Sequence, residues 1–403
     1  MQATTQQIGY LSSLPNFAIM LMSLFAPMIS ERIGNRKNFI LSAVLVMALL
    51  WLPILAIPFV FHTNQVWWLI IFFTLITAAS GVVGPTWSSM MADLTPPGLR
   101  GSYFGLRSFV GGFVVLVFSF VAAGLLQLLT GNTRLAFIII FIGAMIGRLI
   151  SVFFLSRQYD PHPVLPENHQ KQNIPQIVRG LFSTNIGRFM IFIIFLNMAQ
   201  NIDAPFFSAY LLEELHKSYI SYQLITATMA VMTMLVVVWW GKRADKAGRV
   251  KVLHITALMI PFVSLLWLVN SSVTWLLATQ VYSGFAWAGF NLCAGIFIWD
   301  AAPQENRSRY IALFGAFSAL GITMGSLIGG NLGPYLPKIS GSYFLTLFLV
   351  AGIVKLIVVL GLFRRISEVR NVQPIKATEL LFGDLNPTAL VAWWRRINDR
   401  SRR

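Results

Sequence analysis

Three ionisable side chains lie deep inside apolar stretches of this chain: Arg148, Asp203 and Lys355. A charge at the centre of a bilayer costs at least about 2.5–3.5 kcal/mol, so each needs a partner, a water-lined space or a function. Asp203 sits in Asn197-Met-Ala-Gln200-Asn201-Ile-Asp203-Ala-Pro205, where polar residues recur at helical spacing and Pro205 can loosen the helix. A carboxylate so placed could carry a proton or face a cationic group; the plainer alternative is a capped, hydrogen-bonded acid near the mouth of a bundle. Arg148 and Lys355 are 207 positions apart, and each stands nine residues before the next arginine, Arg157 or Arg364. Nine helical residues rise roughly 13 Å, about mid-bilayer. The plainer alternative for this pair is snorkelling or a hydrogen bond to a neighbouring helix.

A second set of polar residues forms a stripe. Gln280, Ser283, Trp287 and Asn291 follow at steps of three, four and four, which puts them on one helix face. Thr77, Ser80 and Trp87 occupy the matching stretch earlier in the chain. Such a stripe either lines a cavity or bonds helices together. Gly321, Gly325 and Gly329 recur every fourth residue, a pattern of close helix packing.

Charged turns come in duplicate. Asp93-Leu-Thr-Pro96-Pro-Gly-Leu-Arg100, then Tyr103, is matched 207 positions on by Asp300-Ala-Ala-Pro303-Gln-Glu-Asn-Arg307, then Tyr310. Glu31-Arg32-Ile-Gly34-Asn-Arg36-Lys37 is matched 214 positions on by Asp245-Lys246-Ala-Gly248-Arg249-Val-Lys251. Gly248 permits a tight reversal, and Asp245 can accept from a helix N-terminus or a nearby arginine.

These residues need a scaffold, and composition says which. The chain is 56% hydrophobic and 11% charged, with a mean hydropathy of +0.70. Soluble domains carry about 25% charged residues. Eleven apolar runs are long enough to span a bilayer, near 8–30, 39–61, 66–91, 103–127, 135–156, 189–212, 219–240, 251–270, 274–298, 310–333 and 342–363. Backbone groups in lipid must bond internally, so the fold class is all-α, a polytopic membrane protein of two similar helical halves. The first half is 1–156 with five helices, 157–187 a proline-bearing linker, 188–363 the second half with six helices, and 364–403 a basic tail. Lysine and arginine crowd one side of the alternating loops; only Arg134, Lys217 and Lys338 fall on the other. The basic side is therefore cytoplasmic, with the C-terminus. The +16 net charge reads as topology and contact with anionic lipid headgroups, not nucleic-acid binding. Trp393, Trp394, Arg395 and Arg396 suit a headgroup layer, or equally a solvated tail. The lone cysteine, Cys293, is in an apolar run and reads as a small hydrophobe.

Overlaying the halves at the offset of 214 sets Met1 on Leu215, so the run 189–212 has no counterpart. The expectation is that an ancestral first helix is absent, through a late start codon or a true truncation. Two similar halves in a membrane are the layout of a transporter that rocks between two faces.

The segment Gly241-Lys-Arg-Ala-Asp245-Lys246-Ala-Gly248-Arg249 closely resembles the cytoplasmic loop signature of the major facilitator superfamily, and the copy at Glu31 matches it more loosely. There Pro27 replaces the glycine, Glu31 the aspartate and Asn35 a basic residue; in the second copy Val250 replaces a basic residue. The resemblance covers about 5–363. It implies a latch at the cytoplasmic face, formed by Glu31, Arg32, Gly34, Asp93 and Arg100 in one half and by Gly241, Asp245, Lys246, Gly248, Arg249, Asp300 and Arg307 in the other. The alternative is that these residues only anchor topology. It also implies a cavity between the halves, assigned to Asn197, Gln200, Asn201, Asp203, Gln280, Ser283, Trp287, Asn291, Thr77, Ser80 and Trp87. The antiporter motif of the family's fifth helix is missing from 103–127, which counts against antiport. The implied activity is secondary transport of a small organic solute by alternating access, with no cofactor beyond a coupling ion such as a proton. The rival readings are an inactive remnant acting as a partner protein and, more remotely, a membrane enzyme. For the latter, the five histidines are scattered without metal spacing and no phosphate-binding Gly-Lys loop occurs.

Overall fold

The computed structural model describes residues 3–33, 35–95, 100–159, 184–302 and 307–368. Among the described residues there are twelve long or medium helices: α1 (Thr5–Ile33), α2 (Arg36–Leu49), α3 (Trp51–Val60), α4 (Gln65–Leu94), α5 (Arg100–Leu128), α6 (Thr133–Ser156), α7 (Asn185–Asn201), α8 (Tyr219–Ala247), α9 (Arg249–Leu266), α10 (Val273–Ala301), α11 (Arg307–Leu332) and α12 (Tyr343–Leu362). Among the described residues there are 11 spans long and apolar enough to cross a membrane. Beyond one isolated bridge, Ile339 to Ser342, the described residues pair no strands.

Local chemistry sets the boundaries. Side chains of Asn35, Asn132, Thr184, Ser218, Ser272 and Ser342 each accept from a backbone N–H of the following first turn, which satisfies a donor the helix itself cannot. The run 39–61 is not one helix. It breaks at Leu50 because Pro53 has no N–H to offer the Leu49 carbonyl. Pro205 does the same to the run 189–212. There α7 stops at Asn201, a 3-10 turn covers Ala204–Phe206, and a wide π turn covers Tyr210–Glu214. Gly248, at φ 91°, makes the two-helix reversal between α8 and α9 that a side chain would strain.

The second half packs around a continuous apolar core that includes Phe189, Phe192, Trp240 and Phe297. The first half holds two smaller clusters, one around Ile40 and Met90 and one around Met47 and Ile57. The halves meet along two seams, α1 on α11 and α5 on α8. At the first seam Gly9 and Gly330 touch backbone to backbone; a Cβ on Gly9 would stand 2.7 Å from the Ser326 carbonyl oxygen. Small residues thus let the helices approach where lipid gives no hydrophobic push between them. The linker core at 160–183, Gly34 and the tail beyond 368 lie outside the described residues.

Candidate functional site

Asp203 does not line an open space. It is 0% exposed, Lys355 is 1% exposed and Ser264 is 0% exposed. The Lys355 Nζ donates to both Asp203 carboxylate oxygens at 2.9 Å and to the Ser264 Oγ at 2.5 Å; the Ser264 hydroxyl in turn lies 2.5 Å from Asp203 Oδ2. The break that Pro205 imposes frees backbone geometry at Asp203, and α9 and α12 close over it with Ser264 and Lys355. The cationic group that Asp203 faces is therefore Lys355, and its place is the inside of the second half rather than the cavity between halves. Burial of either charge alone is costly, and the pair with a bridging hydroxyl satisfies both. Ser264 was invisible in sequence: one serine in an apolar run carries no signal until its neighbours are known.

Arg148 differs from its repeat mate. Lys355 is enclosed, whereas Arg148 on α6 is exposed at the same helical depth.

The other polar residues sort by contact. Asn197 Nδ2 donates to the Ile193 carbonyl at 3.0 Å and Asn201 Nδ2 to the Asn197 carbonyl at 2.9 Å, so both amides are held along α7. Their Cβ atoms stand against Gly321 and Gly325, whose repeat places α11 directly on the α7 backbone at Ile194, Met198 and Ile202. Gln200 is half-buried on the same helix. On α10, Ser283 is buried, Gln280 and Trp287 are half-buried and Asn291 is exposed; the stripe runs from core to surface. Thr77 and Ser80 spend their hydroxyls on α4's own carbonyls, at Phe73, Thr74 and Thr77. Trp87 carries the Arg107 guanidinium 4.2 Å from its ring centroid, a cation–π contact joining α4 to α5.

At the basic end, Arg249 at the start of α9 forms an ion pair with Asp300 at the end of α10. The Val250 N–H donates to Glu368 at 2.8 Å, and Arg243 stacks 3.4 Å from the Trp239 ring centroid. Asp245 and Lys246 are exposed, and Gly241 lies near Leu292. The Arg249–Asp300 pair is thus internal to the second half. The side chains of Glu31, Arg32, Asp93, Arg100 and Arg307 lie outside the described part of the structure, as does Gly34.

The opposite end holds contacts between halves that motif reading missed. Thr5 Oγ1 and the Tyr343 hydroxyl are 2.8 Å apart, Ser12 Oγ and Ser326 Oγ 2.9 Å, and Thr323 Oγ1 donates to the Ser13 carbonyl at 3.4 Å. On the second seam Gln223 Nε2 donates to Ser119 Oγ at 2.7 Å. Beside it lies a largely apolar cavity of about 280 Å³, lined among others by Ala122, Phe137, Leu212 and Tyr222. The signal existed as small and hydroxyl residues spaced along α1, but only the pairing of α1 with α11 gives it meaning.

Comparison with known sequences accords with this architecture. The sequence profile described as "Major Facilitator Superfamily" matches residues 1–202 and again 189–400. The chain belongs to the Major Facilitator Superfamily. Two curated members are similar over shorter stretches. The class B tetracycline resistance protein of Escherichia coli is 30% identical over 148 residues, 36% of this chain and 35% of that protein. The class H protein of Pasteurella multocida is 28% identical over 112 residues, 28% of each. The matched stretches thus span about a third or less of those relatives. Among solved structures, the nucleoside transporter NupG superposes with a TM-score of 0.73 at 12% identity, covering 90% of this chain and 92% of that one. A D-xylose–proton symporter gives 0.72 at 14% identity, covering 92% and 90%. These likenesses show the superfamily fold: two helical bundles and a seam between them.

Proposed function

We propose that this superfamily member is a secondary transporter that moves a small organic solute by alternating access, and that the structure is its inward-facing state. The observation that supports this most is where the halves touch. Gly9 against Gly330, Ser12 against Ser326 and Ser119 against Gln223 all lie toward the end opposite the basic loops. Cationic loops mark the cytoplasmic side. The outer mouth is therefore the closed one, held by hydroxyl and glycine contacts that can part without burying a charge. On this reading the protein is a multi-pass cell-membrane protein with its tail in the cytoplasm.

Asn201, Trp287 and Asn291 are the residues we assign to the solute, together with Gln200, Gln280, Thr77 and Ser80. Asp203 and Lys355 are assigned instead to holding the broken end of α7. At the inner rim, Arg249 and Asp300, with Asp245, Lys246, Gly241 and Gly248, form the hinge side of the cytoplasmic gate.

The test is uptake into proteoliposomes over a panel that includes nucleosides, pentoses and tetracycline, with and without a pH gradient. Nucleosides, xylose and tetracycline enter the panel because the similar proteins are named for them. Solute accumulation that needs the proton gradient would establish coupling. Uptake of every solute at the rate of protein-free vesicles would refute the reading.

A further inference from the structure

Arg107 stands seven residues beyond Arg100, where α5 starts, and Trp87 seven residues before Leu94, where α4 ends. At 1.5 Å per residue both lie about 10 Å in from the basic end. The Arg107 guanidinium sits over the Trp87 ring, 4.2 Å from its centroid. Arg107 is exposed, and among the described residues it forms no ion pair or hydrogen bond. About one turn away on each helix, a Cβ on Gly84 or on Gly111 would meet nothing within 4 Å. Open space therefore flanks the pair. One turn nearer the start of α5, the Tyr103 hydroxyl donates to Met91 Sδ at 3.5 Å, which ties α5 to α4 without using the cation.

The repeat shows that packing does not require a charge here. The offset of 207 sets Phe314 on Arg107 and Ala294 on Trp87. Phe314 stacks on Phe189 with centroids 6.2 Å and planes 5° apart, and Ala294 is buried. The second half thus spends this position on an apolar contact, where the first half sets a guanidinium on an indole. A guanidinium without a counter-charge is unfavourable in hydrocarbon, so this one calls for water and an anion. The inward-facing reading supplies the water, because the inner mouth is then the open one.

We propose that Arg107, held over Trp87, binds the anionic group of the transported solute, and that this solute is an organic monocarboxylate. The proposal rests on the transport reading above and narrows its substrate class. The indole covers one face of the guanidinium and leaves its N–H edges for two parallel bonds to a carboxylate. A single guanidinium balances a single charge; a phosphate ester with two would keep one uncompensated. The residues already assigned to the solute, Asn201, Trp287, Asn291 and their neighbours, are neutral, so Arg107 adds the one charge the site otherwise lacks.

The test is ligand-induced thermal stabilisation of the purified protein in detergent. The probes are acetate, butyrate and benzoate, each beside its neutral amide, with phenyl phosphate as the dianion. A carboxylate should raise the melting temperature in a saturable way where its amide does not. Arg107→Gln should melt like the parent without ligand, since Arg107 bonds to nothing that would be orphaned. Its half-saturating carboxylate concentration should rise at least about tenfold, the loss of one charge-assisted hydrogen bond, and Arg107→Lys should recover part of that. Should Arg107→Gln not fold, the carboxylate–amide pairs on the parent still decide. Equal effects of acid and amide, unchanged binding by Arg107→Gln, or tighter binding of phenyl phosphate than of benzoate each overturns the proposal. Binding is read without transport. Accumulation of a neutral solute alone would keep the transport reading and sink this one, and carboxylate binding without uptake of any solute would do the reverse.

Discussion

The Asp203 carboxylate and the Lys355 ammonium, 152 residues apart in the chain, meet at 2.9 Å with the Ser264 hydroxyl wedged between them. Three helices, α7, α9 and α12, are tied at this one point. Asp203→Asn leaves Lys355 enclosed without a counter-charge. Removing one partner of a buried pair costs about 3–5 kcal/mol, so the variant should melt well below the parent in detergent. Replacing the pair by apolar residues of similar volume, Asp203→Leu with Lys355→Met, should recover most of that loss. A single variant as stable as the parent would show that the pair holds nothing together.

Much of this architecture was legible in the chain. The apolar runs and the doubled turns point to the helices and the two similar halves, and the glycine stripe to a close helix contact, because each rests on spacing within one helix or one loop; that the partner of the stripe is α7 comes from the packing alone. The failures share a cause as well. Asp203 was assigned to a cavity because its helix carries Asn197, Gln200 and Asn201. Its true surroundings come from Ser264 and Lys355, and nothing in local spacing says which way α9 and α12 lie. The break at Leu50 was readable from Pro53 but was masked by the uniform apolarity of 39–61. The seam residues Ser12 and Ser326 look like ordinary packing until two distant helices are set side by side.

That seam yields a direct test of rocking. Ser12 and Ser326 bring their Oγ atoms to 2.9 Å across the halves, close enough for a disulfide once both are cysteines, since bridged Cβ atoms stand about 3.5–4.5 Å apart. The variant Ser12→Cys/Ser326→Cys should crosslink under mild oxidation, lose solute uptake and regain it with reductant. The native Cys293 is buried in the core of the second half and should not interfere. Full uptake by the crosslinked protein would mean that the seam never opens.

Gly325 faces the Met198 carbonyl so closely that a methyl group there would collide with backbone. Backbone cannot swing aside as a side chain can. Gly325→Ala should therefore push α11 off α7 and cost about 1–3 kcal/mol, the range for overpacking a tight contact. Gly315 has open space where its Cβ would stand, and Gly315→Ala serves as the control that should match the parent. Equal melting temperatures for all three proteins would contradict the close packing.

The Arg249–Asp300 pair joins the start of α9 to the end of α10 within one half, and both side chains keep some solvent access. Exposed pairs contribute about 0–1 kcal/mol to stability. Asp300→Asn should therefore insert and melt nearly as the parent does. Transport answers to a different balance. If the basic end must tighten around this pair when the outer mouth opens, losing it shifts the ratio of the two states. A shift of ~1 kcal/mol changes that ratio about fivefold. Initial uptake rates of Asp300→Asn and Asp245→Asn should fall by about that factor while the yield in the membrane is unchanged. Parent-like uptake in both variants would assign these acids to loop anchoring alone.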